Sequence, residues 1–161
     1  MRIRVVVADQ AEASFYDLQH RDDPPQLTGH LTDPLARLHD RDLISDRPGR
    51  KFDHAPLSGG RRGATAHHAT GGEQSPRRQE AVGFAHRIAA QLERAQRDDE
   101  FDRLVVMAPP GFLGVLRKAL PQAVRASVVA EVDKDLVHQT AAAVRSHLPD
   151  EAFRIPLTPA G

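Results

Sequence analysis

A chain of 161 residues can bury one sizeable core and is too short for two, so a single domain over residues 1–157 with a tail at 158–161 is expected. Twenty-two Lys and Arg cancel twenty-two Asp and Glu, which leaves no global field to argue for nonspecific binding to nucleic acid or a membrane surface. Cysteine is absent, which removes disulfides, cysteine–zinc sites and thiol catalysis together.

The opening run from Ile3 to Ala8 is β-branched, apolar and of strand length, and Asp9 to Glu12 reads as a turn. Its apolar stretch is too short for a signal-peptide core, so a cytoplasmic location is expected. Ala13 to Gln19 and Leu27 to Leu31 supply two more strands, separated by Pro24-Pro25. Asp33-Pro34 has the form of an N-cap followed by proline at the first helical position, which predicts a short helix from Pro34 to about Leu43. Ser75-Pro76 repeats that signature. After it, Ala81, Phe84, Ala85, Ile88, Ala89, Leu92 and Ala95 recur at three- and four-residue spacing, predicting one long amphipathic helix over 77–97. A buried strand over 101–108, a helix over 112–120, a strand over 124–132, a helix over 133–148 and an extended segment over 152–157 complete the reading. The fold class is therefore α/β: a single domain with a mixed five-stranded sheet, an antiparallel meander followed by parallel β-α units. The first strand should be central, antiparallel to the second and parallel to the strand at 101–108.

Between these regions lies a Gly/Arg/His-rich stretch, residues 45–76, of a length that compact domains rarely keep without a purpose. From Asp46 to Gln79 it carries Arg47, Arg50, Lys51, Arg61, Arg62, Arg77 and Arg78 against Asp46, Asp53 and Glu73. Few of its side chains beyond Phe52 and Leu57 are apolar, so residues 46–75 are expected to be mobile in the free protein. Such a segment can cradle phosphate with backbone N–H groups and arginine forks, or serve only as a solvated loop. His54 and the adjacent His67 and His68 lack a metal-ligand spacing, so no metal is expected. Asp9 has no second carboxylate at the end of a neighbouring strand, which favours a turn-capping role over a phosphoryl-transfer metal site. P-loop, dinucleotide and serine-hydrolase patterns are missing, and no cofactor is expected. Ala108-Pro-Pro-Gly111 lies at the carboxyl end of a parallel strand, where it could line a ligand site or merely launch the next helix.

Several segments together resemble the bacterial host-attachment family, proteins required for attachment to host cells. They are Val6 to Asp9, Leu38 to Leu43, Ser45 to Arg50, Phe84 to Leu92, Leu104 to Arg117 and Lys134 to Leu136. That family in turn resembles the central domain of archaeal and eukaryotic peptide-chain release factors, in which a Gly-Gly-Gln loop preceding a long helix assists hydrolysis of peptidyl-tRNA. The corresponding place here reads Gly71-Gly72-Glu73-Gln74, and the inserted glutamate moves the glutamine by about 3.5 Å of chain. The resemblance implies Gly71, Gly72 and Gln74 as a catalytic tip with the ribosome or tRNA as partner, and the cationic character of the loop offers Arg47, Arg50, Arg61 and Arg62 as the RNA-binding set; neither DNA nor membrane is expected. Two functions follow from it. One is a ribosome- or tRNA-associated factor acting through residues 46–75 in peptidyl-tRNA hydrolysis or ribosome rescue. The other is a non-enzymatic factor that binds a host protein, or a second copy of itself, during attachment.

Overall fold

The computed structural model of the protein describes residues 1–36 and 75–155. Its five strands are β1 (Ile3–Ala8), β2 (Glu12–Leu18), β3 (Gln26–Thr32), β4 (Arg103–Met107) and β5 (Val128–Val132). They form one sheet in the order β3-β2-β1-β4-β5. As expected, β1 is central, antiparallel to β2 and parallel to β4, while β2 pairs antiparallel with β3 and β4 parallel with β5. A two-residue alternation sorts the buried side chains onto two faces. Val6, Ala8, Phe15, Leu104 and Val106 point to one core, and Ile3, Val5, Val7, Leu18, Val105 and Met107 to the other.

The first face is covered by α1 (Pro76–Arg97), α2 (Pro110–Ala119) and α3 (Gln122–Arg125). Ser75 caps α1 by accepting a hydrogen bond from the Arg78 backbone N–H at 3.2 Å, and Pro76 occupies the first turn. All seven stripe residues from Ala81 to Ala95 are buried. Completely burying Phe84, Ile88 and Leu92 contributes about 1.5–3 kcal/mol each relative to exposure. The helix lies close on β3 at Gly29, where an added Cβ would stand 3.1 Å from Gln91 Nε2. It ends through Asp98 and Asp99, the latter with φ of 59°, a conformation aspartate adopts more readily than most residues.

The second face is closed by α4 (Ala141–Ser146) and a 3-10 turn, Asp150–Phe153, and here the expected elements need correction. The strand expected over 124–132 starts only at Val128. Pro121 opens the helical turn α3, whose Val124 is driven fully into the first core, so tertiary packing overrides the strand preference of valine. The helix expected over 133–148 is confined to Ala141–Ser146, where the Thr140 hydroxyl caps it by accepting from the Ala143 backbone N–H. Before it, consecutive Leu136 and Val137 are both buried against the sheet, and Gln139 N–H turns back to the Leu136 carbonyl. The extended segment expected over 152–157 is, in its described part, the 3-10 turn that buries Ala152. Pro110 lies inside α2 at its first position, so that helix starts two residues earlier than expected. The helix expected from Pro34 is present at 34–36, and its remainder lies outside the described residues. Among the described residues no helix is long and apolar enough to cross a membrane.

Candidate nucleic-acid interface

Parallel pairing of β1, β4 and β5 brings their carboxyl ends to one edge of the sheet, and two antiparallel steps bring the end of β3 to the same edge. Two aspartates finish this rim. Asp9 Oδ1 accepts from the Ala11 and Glu12 backbone N–H groups, both at 2.8 Å, the turn-capping role its position suggests. Asp33, 8% exposed, donates its backbone N–H to the Ala11 carbonyl, and its carboxylate accepts from Leu35 N–H to open the helical turn at 34–36. The chain leaves the described fold here.

It returns at Ser75 on the same side. Helix α1 runs away from the rim, and near its far end Gln96 Nε2 donates to the Ala123 carbonyl at 2.9 Å, just ahead of the start of β5. Both attachment points of residues 37–74 thus lie toward the edge where open α/β sheets bind ligands. The expected site residues Arg47, Arg50, Arg61, Arg62, Gly71, Gly72 and Gln74 all fall in that stretch and lie outside the described residues, as do His54, His67 and His68. Ala108 to Gly111 has a visible structural duty at the rim. Ala108 N–H donates to the Val132 carbonyl, and Leu113 N–H closes the first turn of α2 on the Pro109 carbonyl.

The first turn of α1 carries Arg77 and Arg78 and no acidic residue. Cations at the positive end of a helix dipole are unfavourable unless an anion faces them. Beside that turn a groove of about 140 Å³ separates α1 from α2, lined by Arg78, Val82, His86, Val115, Lys118 and Ala119. Beneath it the Phe84 and Phe112 rings meet with centroids 6.3 Å apart, joining the two helices. The other cations along α1 and α2 include two that are committed elsewhere. Arg117 makes a forked contact with Glu131, as close as 2.6 Å, which raises the guanidinium pKa above its ordinary value. Arg87 donates to the Thr32 carbonyl at 3.1 Å and lies over the Phe84 ring. The side chains of Arg78, His86 and Lys118 have no hydrogen-bonded or ionic partner among the described residues. The sequence reading missed this groove, although the spacing of residues 78, 82 and 86 on a flank of the buried stripe was available to it.

The opposite pole holds a larger hollow of about 360 Å³, whose lining includes Arg2, Asp17, Asp23 and Glu100. Its charges are internally matched. Buried Arg4 donates Nε and Nη2 to the two oxygens of Asp17 at 2.7 and 2.8 Å, and Nη2 also reaches Glu100 at 3.2 Å. Hydrogen bonding to Asp17 is the main cause that lifts the Arg4 guanidinium above its ordinary pKa. Arg2 is held by Asp102, whose carboxyl is lowered first by the Arg2 backbone N–H and then by its guanidinium. Backbone N–H groups of His20 and Gln19 lower Asp23 in the same way. These contacts tie the amino ends of β1 and β4 to the carboxyl end of β2 and leave little unmatched charge for a ligand. Among the described residues no three His, Asp or Glu side chains come together as a group able to hold a metal ion.

Residues 4–148 match the family described as "Protein required for attachment to host cells", and the chain belongs to that family. No curated protein matches it.

Proposed function

We propose that this member of the host-attachment family is an RNA-binding factor that works on the ribosome or on tRNA through residues 46–75. Arg47, Arg50, Arg61 and Arg62 are its phosphate contacts. Gly71, Gly72 and Gln74 are the tip that aids peptidyl-tRNA hydrolysis or ribosome rescue. The observation that carries the reading is the continuation of basic sequence from that segment into the first turn of α1, whose own residues include Arg77 and Arg78. A basic stretch that runs into a helix start is suited to a polyanion. The resemblance to release-factor central domains supports the choice of partner. The family description supports the second reading, a factor that binds a protein at a host surface.

Cosedimentation with ribosomes and tRNA binding across a KCl series test the proposal. Alanine at all four arginines is expected to weaken binding similarly for different RNA sequences and to reduce the slope of log affinity against log salt by about three, the release expected for four phosphate contacts. Gln74→Ala should leave that affinity nearly unchanged while removing peptidyl-tRNA hydrolysis, since a residue that positions water adds little ground-state binding. A wild-type protein that neither cosediments with ribosomes nor binds tRNA at low salt sinks the RNA reading in favour of the attachment one.

A further inference from the structure

We infer that the groove between α1 and α2 seats a phosphodiester group of the bound RNA, gripped by Arg78 from one helix and Lys118 from the other. The inference rests on the RNA reading and adds to it a second contact surface, on the folded body and outside residues 46–75. Three features of the groove support it.

The first is charge without a partner. Arg78 and Lys118 are exposed, sit on two different helices, and line the same hollow with no carboxylate among the lining residues. Arg117, one residue before Lys118, is paired with Glu131 and does not line the groove. Among the described residues the pattern is therefore selective: the cation that has an acid nearby is paired, and the two that line the groove are not. The second is the helix end. Arg78 lies in the first turn of α1, where its charge adds to the positive end of the dipole and the turn itself contains no acidic residue. An anion in the groove relieves both at once. The third is shape. A hollow of about 140 Å³ holds roughly four to five waters' worth of volume, enough for one phosphate group with part of its hydration. Its remaining walls, Val82, Val115 and Ala119, are apolar and suit the uncharged sugar edge beside a phosphate.

The division of labour follows from side-chain chemistry. The Arg78 fork can take two phosphate oxygens together, whereas Lys118 supplies a point charge from the opposite wall. His86, one turn beyond Val82, offers a ring N–H to the same group. An acidic peptide would satisfy the charges too. Nucleic acid is favoured because Arg78 follows the arginine-rich residues 46–75 closely in sequence, so that basic sequence carries on from that stretch into the helix that walls the groove.

The test uses the full-length protein and bulk deacylated tRNA, with affinity measured from 50 to 300 mM KCl. Arg78→Ala with Lys118→Ala should weaken binding at least tenfold at the low-salt end and reduce the salt slope by about 1.5, as expected for two lost phosphate contacts. Arg78→Lys should restore most of the slope but only part of the affinity. Both sites are exposed, and the unfavourable place of Arg78 at a helix start offsets the favourable one of Lys118 at a helix end, so the urea midpoint should move little, and in the wild type the Val82 and Val115 methyl resonances should shift on adding tRNA. An unchanged slope in the double variant, with wild-type binding intact, overturns the groove inference and leaves RNA binding through residues 46–75 standing. A double variant that binds tRNA normally but loses an acidic protein partner overturns it in favour of that partner. Absence of any tRNA binding by the wild type overturns both.

Discussion

Asp17→Ala is expected to lower the free energy of unfolding by about 3 kcal/mol, a large share of what a domain of this size has to lose. The asymmetry of the Arg4 cluster sets this value. Arg4's side chain is 6% exposed and gives Asp17 two short hydrogen bonds, whereas Asp17 is 33% and Glu100 47% exposed. Removing Asp17 strands a buried guanidinium with one longer contact, while removing Glu100 breaks a contact that water already shares. Glu100→Ala should therefore cost under about 1 kcal/mol. Arg4→Met should fall between them, because the methionine fills part of the space over Phe101 and Asp17 can reach water. Urea unfolding with an unchanged m-value measures all three. Equal costs for Asp17→Ala and Glu100→Ala would show that Arg4 is better solvated than its packing implies.

Phe84→Ala should destabilise the fold by about 3–5 kcal/mol, lowering Tm by roughly 10 °C. Phe84 is 1% exposed, stacks against Phe112 across the α1–α2 seam and carries Arg87 over its ring. Its truncation opens a cavity where helix meets helix, and neither neighbour can close it without leaving the sheet. Val82→Ala, on the exposed groove wall nearby, should cost under about 1 kcal/mol. A loss below about 1.5 kcal/mol for Phe84→Ala would mean that α1 and α2 adjust to each other more freely than a packed seam allows.

The parts of the fold that were readable in the sequence are those where one local pattern meets one partner surface. Ile3 to Ala8 is buried on both faces and reads as a mostly β-branched run interrupted by Arg4, and the stripe from Ala81 to Ala95 meets the sheet at helical period. The C-terminal third broke the pattern because its apolar residues serve two faces at once. Val124 belongs to the first core, and Leu136 and Val137 to the second, so their spacing in sequence follows neither period. Asp9, Asp33 and Ser75 were legible as caps because capping is local. The groove was not, since Arg78 and Lys118 lie forty positions apart and become neighbours only when Phe84 meets Phe112. Composition singled out residues 46–75 without assigning their contacts.

The central strand has a consequence for the order in which the protein assembles. β1 pairs with β2 across a short turn, but its other neighbour arrives a hundred positions later, with Ile3 beside Arg103 and Val5 beside Val105. During synthesis the meander β1–β2–β3 is complete long before β4 or the helices of the first face exist. Until then Val5, Val6 and Val7 have water on one flank and no cover above or below. Such non-local parallel pairing folds slowly, on millisecond-to-second scales, and leaves an aggregation-prone edge while it waits. The last rung of that pairing, Val7 beside Met107, can close only after residue 107 has been added to the chain.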